Sequence, residues 1–223
     1  MTNTLRPRVR TRLRAGARRL LETPHWVGLR KLGRGREGDY RSYLAVQLRR
    51  TLSKRENDPG VGAVTLIDRV SDEQASGRVL CVGCRNPFEL DRFRARGFDD
   101  VVGIDLFSQR PDILVMDMHD LSFPDDSFDV VYASHSLEHA YDVGRVAGQM
   151  VRVARDGGVI AAEVPVRVQA SAADRIVFSG LDELRGVFAP HVGEELLAEE
   201  QPPRSATNDQ GTDVARLVFR LRK

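Results

Sequence analysis

Val79-Leu80-Cys81-Val82-Gly83-Cys84-Arg85-Asn86-Pro87 is an apolar run that ends on a glycine turn, and Asp105 closes the next apolar run. A buried strand ending on glycine lets the backbone approach a ligand, and an acidic side chain roughly 20 residues later accepts two hydrogen bonds from a ribose diol. The pair points to a parallel α/β sheet that holds a nucleoside. A dinucleotide site needs further glycines to admit a pyrophosphate, whereas Arg85 and Pro87 stand at those positions. A smaller nucleoside ligand is therefore expected.

Downstream, strand-like runs at Val79–Gly83, Val101–Asp105, Ile113–Met116, Phe128–Ala133 and Val159–Val164 are separated or followed by helical patterns at Pro87–Arg96, Tyr141–Ala154 and Leu181–Phe188. That alternation implies right-handed crossovers and a mostly parallel sheet. Two last runs, Leu196–Glu200 and Val214–Leu221, have no helix between them, so they predict an antiparallel hairpin at the sheet edge joined by Pro202–Asp213. Upstream, Tyr40–Arg55 reads as a helix with Tyr43, Leu44, Leu48 and Leu52 on one side, ended by Asn57-Asp58-Pro59-Gly60.

The chain has 223 residues, 41% hydrophobic and 30% charged, and no apolar run approaches the ~20 residues that span a bilayer. The net charge of +2 hides an asymmetry: residues 1–56 carry 16 Arg or Lys against 4 Asp or Glu, while the rest carry 18 against 28. Leu5, Val9, Leu13, Ala17 and Leu20 recur at helical spacing beside Arg6, Arg10, Arg14 and Arg18, a pattern suited to an anionic membrane or to nucleic acid phosphates. Pro7 and Gly16 weaken that helix, and a solvated arginine tail is the plainer alternative. Residues 28–38 read as a linker, and the match of Gly33-Arg34-Gly35-Arg36-Glu37-Gly38 to GxGxxG is taken as chance because no strand precedes it. The expected organisation is a basic segment over 1–38 and a nucleoside-binding domain over 39–223. Arginine-rich first residues without an apolar core, and two cysteines only three apart, predict a reducing cytoplasmic setting with peripheral membrane contact as an option.

Ligands in an open parallel sheet bind beyond the carboxyl ends of the strands. Four successive ends carry suitable groups: Val82-Gly83-Cys84-Arg85, Asp105-Leu106, Asp117-Met118-His119, and Ser134-His135-Ser136-Leu137-Glu138-His139. Gly103-Ile104-Asp105, Asp117-Met118 with Leu121-Ser122-Phe123, Ser127–Val131, Ser136–His139 and Arg155-Asp156-Gly157-Gly158 together make Val79–Pro165 resemble the class I S-adenosylmethionine-dependent methyltransferases, especially their compact small-molecule branch. The resemblance implies a Rossmann-like methyltransferase fold: a seven-stranded, mostly parallel sheet with an antiparallel C-terminal hairpin strand and helices on both faces. It implies S-adenosylmethionine as cofactor, with Val82, Gly83, Cys84 and Ser134 close to it, Asp105 and Leu106 at the ribose, and Asp117 and Met118 at adenine. The family's glycine-rich first loop is reduced here, and Arg85 is the candidate to grip the cofactor carboxylate in its place.

For the transfer itself, His135 is the first candidate base, His139 the second, and Glu138 either a third or a helix-packing residue. A Pro-Pro-aromatic clamp for exocyclic base amines is missing, no cysteine follows Cys84, and the carboxylate cluster of a magnesium-dependent enzyme is absent. Cys81 and Cys84 spell CxxC, but Cys81 lies inside a strand and predicts a buried thiol. His135 and His139 stand about 50 residues from that pair, far from zinc-finger spacing, so no metal site is expected. The expected reaction is metal-independent methyl transfer to a small molecule such as a natural product, sugar or lipid-linked intermediate. Two alternatives remain: an RNA-modifying enzyme gripping phosphates with its basic segment, and a non-catalytic nucleoside-binding domain.

Overall fold

A computed structural model describes residues 38–53, 60–85, 87–108, 110–208 and 211–223. The basic pattern over 1–21, the segment 28–37 and the helix stop at 57–59 lie outside the described residues.

The element order is α1 (Gly38–Ser53), α2 (Gly60–Glu73), β1 (Arg78–Val82), α3 (Phe88–Ala95), β2 (Asp100–Asp105), β3 (Ile113–Val115), β4 (Phe128–Ser134), a 3-10 turn (Leu137–His139), α4 (Val143–Val153), β5 (Ala154–Pro165), α5 (Leu181–Phe188), β6 (Val192–Gln201) and β7 (Val214–Leu221). Seven strands form one sheet in the order β3-β2-β1-β4-β5-β7-β6. β1 pairs in parallel with β2 and β4, and β3 and β5 extend the parallel set. β7 enters antiparallel between β5 and β6. This is the expected Rossmann-like arrangement with its C-terminal hairpin.

The period-2 alternation of the strands divides the apolar residues between two cores. Val79 and Cys81 of β1, with Val130 and Tyr132 of β4, pack under Leu66, Ile67 and Val70 of α2 and Leu90 and Phe93 of α3. Leu80, Val82, Ala133 and Ile160 face the other way, toward Val146, Ala147 and Met150 of α4 and Leu184 and Phe188 of α5. Complete burial of such side chains contributes roughly 1.5–3 kcal/mol each. Phe128 shares a face with Val131 rather than Val130 because the β4–β5 register shifts between Phe128 and Val130.

Helix α2 was not read from the sequence. Ala63, Leu66, Ile67 and Val70 supply an i, i+3, i+4, i+7 stripe, all of it buried. Two glycines and several β-branched residues masked it, since both lower helix propensity. In α1 the expected apolar face is corrected. Tyr40, Tyr43, Gln47 and Thr51 are buried, while Leu52 is 65% exposed, because this helix packs over polar strand ends. β6 begins four residues before the expected Leu196, where register shifts between Val192 and Leu197 break the alternation.

Candidate functional site

The strand order reverses at β1, and a cleft opens at the carboxyl ends of β1, β2 and β4. Its floor includes Gly83, Ile104, Asp105, Leu106, Met116 and Met118. Gly83 sits at φ +77°, and a Cβ there would lie 2.4 Å from Ser136 Cβ, so glycine is required both by the backbone and by the turn after β4. The amides of Gly83 and Cys84 both donate to Ile104 O, at 2.8 and 3.1 Å. These two N–H groups of the opening turn are therefore spent on β2.

Arg85 lines the cleft, and its buried Nε has no hydrogen-bond partner among the described residues. Such an orphaned donor is costly unless a ligand completes it. Asp105 Oδ1 accepts from Phe107 N–H at 3.0 Å, and burial pushes its carboxyl above the usual range. An ionised carboxylate has about four acceptor sites, so capacity remains for a diol.

Helix α1 roofs the cleft with Tyr43, Gln47 and Thr51. Tyr40 O–H donates to Asp117 Oδ2, while Asp117 Oδ1 accepts from His119 N–H at 2.9 Å and lies 2.6 Å from His119 Nδ1. His119 is fully buried, and its Nε2 accepts from the amides of Tyr141 and Asp142 at 3.0 and 3.2 Å. That pattern fixes the ring proton on Nδ1, pointing at Asp117. Burial pushes the Asp117 carboxyl up, but the His119 and Tyr40 donors outweigh it and hold the group below its ordinary range. Arg50 donates to Gln47 Oε1 at 3.0 Å and to His139 Nε2 at 2.8 Å, and burial followed by the nearby Arg85 cation pushes its guanidinium down.

The opposite wall is a chain of charges. His135, at φ +48°, lines the cleft with Nε2 3.2 Å from Glu163 Oε1 and Nδ1 3.7 Å from Glu138 Oε1. Glu163 Oε1 also accepts from Ser134 Oγ at 3.0 Å, and its Oε2 accepts from Arg216 Nε at 2.5 Å. Burial alone would discharge both groups. The two carboxylates instead hold His135 up at about 10, and His135 with Arg216 holds Glu163 down at about 2.

Residues 80–162 match the family model described as "Methyltransferase domain". That segment is therefore similar to a methyltransferase domain. Methyltransferase GfsG of Streptomyces halstedii is 40% identical over 86 residues, which cover 37% of this chain and 28% of that protein. The match thus spans little more than a quarter of that relative. Among solved structures, the Burkholderia thailandensis 1,6-didemethyltoxoflavin-N1-methyltransferase with bound S-adenosylhomocysteine superposes with TM-score 0.66 at 14% identity, covering 82% of this chain and 89% of that one. Bradyrhizobium japonicum N-methyltransferase NodS with S-adenosylhomocysteine gives 0.60 at 15%, covering 84% and 100%. The [4+2]-cyclase SpnF gives 0.58 at 19%, covering 83% and 95%. At these identities the structural matches establish the fold.

Of the methyltransferase site residues expected from sequence, the structure gathers Gly83, Arg85, Asp105, Leu106, Asp117, Met118, His135 and His139 around one cleft. Three others point away. Val82 packs under α4 and α5, and the Cys84 thiol is buried in the α2–α3 core, 3.5 Å from Cys81 O. Ser134 Oγ turns to Glu163. Both thiols are free, and burial pushes both up. Asp117 also braces the site, its two oxygens accepting from Tyr40 and His119.

The three residues named as candidate bases sit together on this wall. His135 lies between two carboxylates, which raise it to about 10 against the effect of burial. His139 Nε2 receives Arg50, and its Nδ1 lies 3.2 Å from Ala173 O and 2.9 Å from Asp174 Oδ1. Glu138 is 2% exposed and sits behind these rings, with Oε2 buried and without a hydrogen-bond partner among the described residues. Sequence reading missed Tyr40, Arg50, Glu163 and Arg216 as site residues, and it named His119 and Tyr43 without a role. Glu163 and Arg216 left a signal as charges inside the apolar runs of β5 and β7.

Proposed function

We propose that this methyltransferase domain transfers the methyl group of S-adenosylmethionine to a small-molecule acceptor without a metal ion. The observation that carries the reading is the convergence of Gly83, Asp105 and Met118 on one switch-point cleft whose wall holds an Arg85 Nε with no partner among the described residues. The cofactor supplies an electrophilic methyl on a sulfonium when bound. In this reading Asp105 accepts from the ribose hydroxyls and Met118 packs on the adenine. Arg85, with Arg50 beside it, takes the carboxylate that a glycine-rich backbone would otherwise hold.

The chain's contribution to rate is orientation and exclusion of water: α1 covers the cleft, and holding attack geometry lowers a barrier by roughly 7–11 kcal/mol. Two structural neighbours are named as N-methyltransferases, which supports a small acceptor. The charge of residues 1–56 favours a second reading, RNA modification, which predicts RNA affinity that falls steeply with salt and is lost when residues 1–38 are removed. Titration calorimetry with S-adenosylmethionine and S-adenosylhomocysteine tests the first reading. Micromolar binding that weakens in Asp105→Ala supports it, and absence of binding at millimolar cofactor overturns it. Turnover that survives chelator supports the metal-free route.

A further inference from the structure

Helix α1 has a second face that the cleft does not use. Tyr40, Tyr43, Gln47 and Thr51 are buried beneath it, whereas Arg41, Ala45, Arg49 and Leu52 are exposed. At 3.6 residues per turn, Arg41, Ala45, Leu48 and Leu52 fall in one stripe along the helix, with Arg49 beside it. Ala45, Leu48, Arg49 and Leu52 line a shallow groove on this face. At 65%, Leu52 is the most exposed large apolar side chain among the described residues. One exposed leucine needs no explanation, but an apolar stripe edged by arginines is the arrangement of a helix that lies in a bilayer interface.

Charge decides between the possible occupants. Helix α1 carries Arg41, Arg49 and Arg50 against Asp39, which Arg175 already meets at 3.3 Å. The chain's own apolar positions before it run beside Arg6, Arg10, Arg14 and Arg18, so laying them on this face would bring like charges together. A second copy related by a two-fold axis would set Arg41 and Arg49 against their own counterparts. A nucleic acid would satisfy the arginines and leave Leu48 and Leu52 in water. An anionic bilayer meets both needs, since its phosphates take the arginines and its acyl boundary takes the leucines. Residues 57–223, with 18 Arg or Lys against 28 Asp or Glu, are repelled by the same surface, which turns α1 toward it.

We propose that the outer face of α1 docks on an anionic lipid surface, with Ala45, Leu48 and Leu52 entering the boundary between headgroups and acyl chains and Arg41 and Arg49 meeting lipid phosphates. The apolar area is small, so attraction to anionic lipid supplies most of the affinity and docking is reversible and sensitive to salt. The inner face of the same helix roofs the cleft, and docking therefore places the cover of the site at the lipid interface. The inference goes beyond the methyltransferase reading and does not depend on it.

Sedimentation of the full chain with phosphatidylglycerol vesicles and with phosphatidylcholine vesicles tests this. Binding should favour phosphatidylglycerol, weaken as salt rises, and fall about tenfold in Arg41→Gln/Arg49→Gln. Leu52→Gln should cost about threefold without changing urea unfolding, because the side chain it replaces is exposed. Equal vesicle affinity of Leu52→Gln and parent overturns the proposal, since the basic residues would then hold the lipid with no part for the groove. Binding to neither vesicle overturns it as well, and three further readouts then name the occupant. Dimerisation in sedimentation velocity that Leu52→Gln abolishes assigns the face to a second copy. Loss of urea stability in Leu52→Gln assigns it to the chain's own basic segment. Retention on poly(U) that Arg41→Gln/Arg49→Gln weakens and Leu52→Gln does not assigns it to nucleic acid.

Discussion

Glu163 Oε2 accepts from Arg216 Nε at 2.5 Å in an ion pair that joins β5 to the antiparallel β7, with both side chains at 2% exposure or less. A buried pair stabilises little compared with apolar residues of the same shape, but losing one partner strands a charge. Arg216→Met is therefore expected to destabilise the domain by about 3–5 kcal/mol in urea unfolding. The double variant Glu163→Leu/Arg216→Met should recover most of that loss. A double variant no better than the single one would show that the pair's geometry, not its stranded charge, governs the hairpin.

Three buried groups give stability opposite dependences on pH. Glu163 is held down at about 2 by its cations, so its contribution is present above pH 4.5 and lost as pH falls toward 2. His135 is held up at about 10, so its contribution is complete below pH 6.5 and disappears as pH rises through 10. Glu89, by contrast, is pushed up to about 7 by burial, and its Oε2 has no partner among the described residues. The folded state favours its neutral form, so stability declines as pH rises from 4.5 to 7 and stays lower above that. Glu89→Gln should raise the unfolding free energy at pH 8 by roughly 2–3 kcal/mol and flatten the decline above pH 4.5. Equal stability of variant and parent at pH 8 would mean that Glu89 meets water or a cation when ionised.

Cofactor affinity separates the two halves of the site. Asp105→Ala removes acceptors for two charge-assisted hydrogen bonds of roughly 1.5–3 kcal/mol each, so calorimetry should show at least a hundredfold loss. Arg85→Ala should cost about tenfold for S-adenosylhomocysteine and far less for adenosine, which lacks the carboxylate. An equal loss for both ligands would place Arg85 at the nucleoside instead.

What the sequence disclosed follows from how local each feature is. β1, β2, β4 and β7 are nearly continuous apolar runs, as buried strands must be, and α5 was bounded at Leu181 and Phe188 by pattern alone. Asp105 and Gly83 were visible because strand ends converge in a parallel sheet whatever the rest of the chain does. The protonation of His135 was not, because it depends on Glu163, distant in sequence and paired through β4–β5, and on Arg216, which reaches Glu163 only when β7 inserts beside β5. The roof was likewise hidden. Tyr40 meets Asp117 across 77 positions, and nothing in the pattern of α1 says which face turns inward.

That roof contact gives the last prediction. Tyr40 O–H donates to a carboxylate already served by His119, and both donors help keep Asp117 below its ordinary range. Tyr40→Phe deletes the hydroxyl but keeps the ring that packs edge-on against Tyr141, with centroids 5.2 Å apart. The lost charge-assisted bond should cost about 1.5–3 kcal/mol at pH 7. Because a depressed carboxyl stabilises above its unfolded pKa and loses that contribution as pH falls through its folded value, the deficit should shrink in acid. Tyr40 is not among the residues that line the cleft. Cofactor affinity in Tyr40→Phe should therefore hold while stability falls, a split visible by pairing calorimetry with urea unfolding. Parallel loss of both would show that Tyr40 shapes the cleft itself and does not merely pin α1 over it.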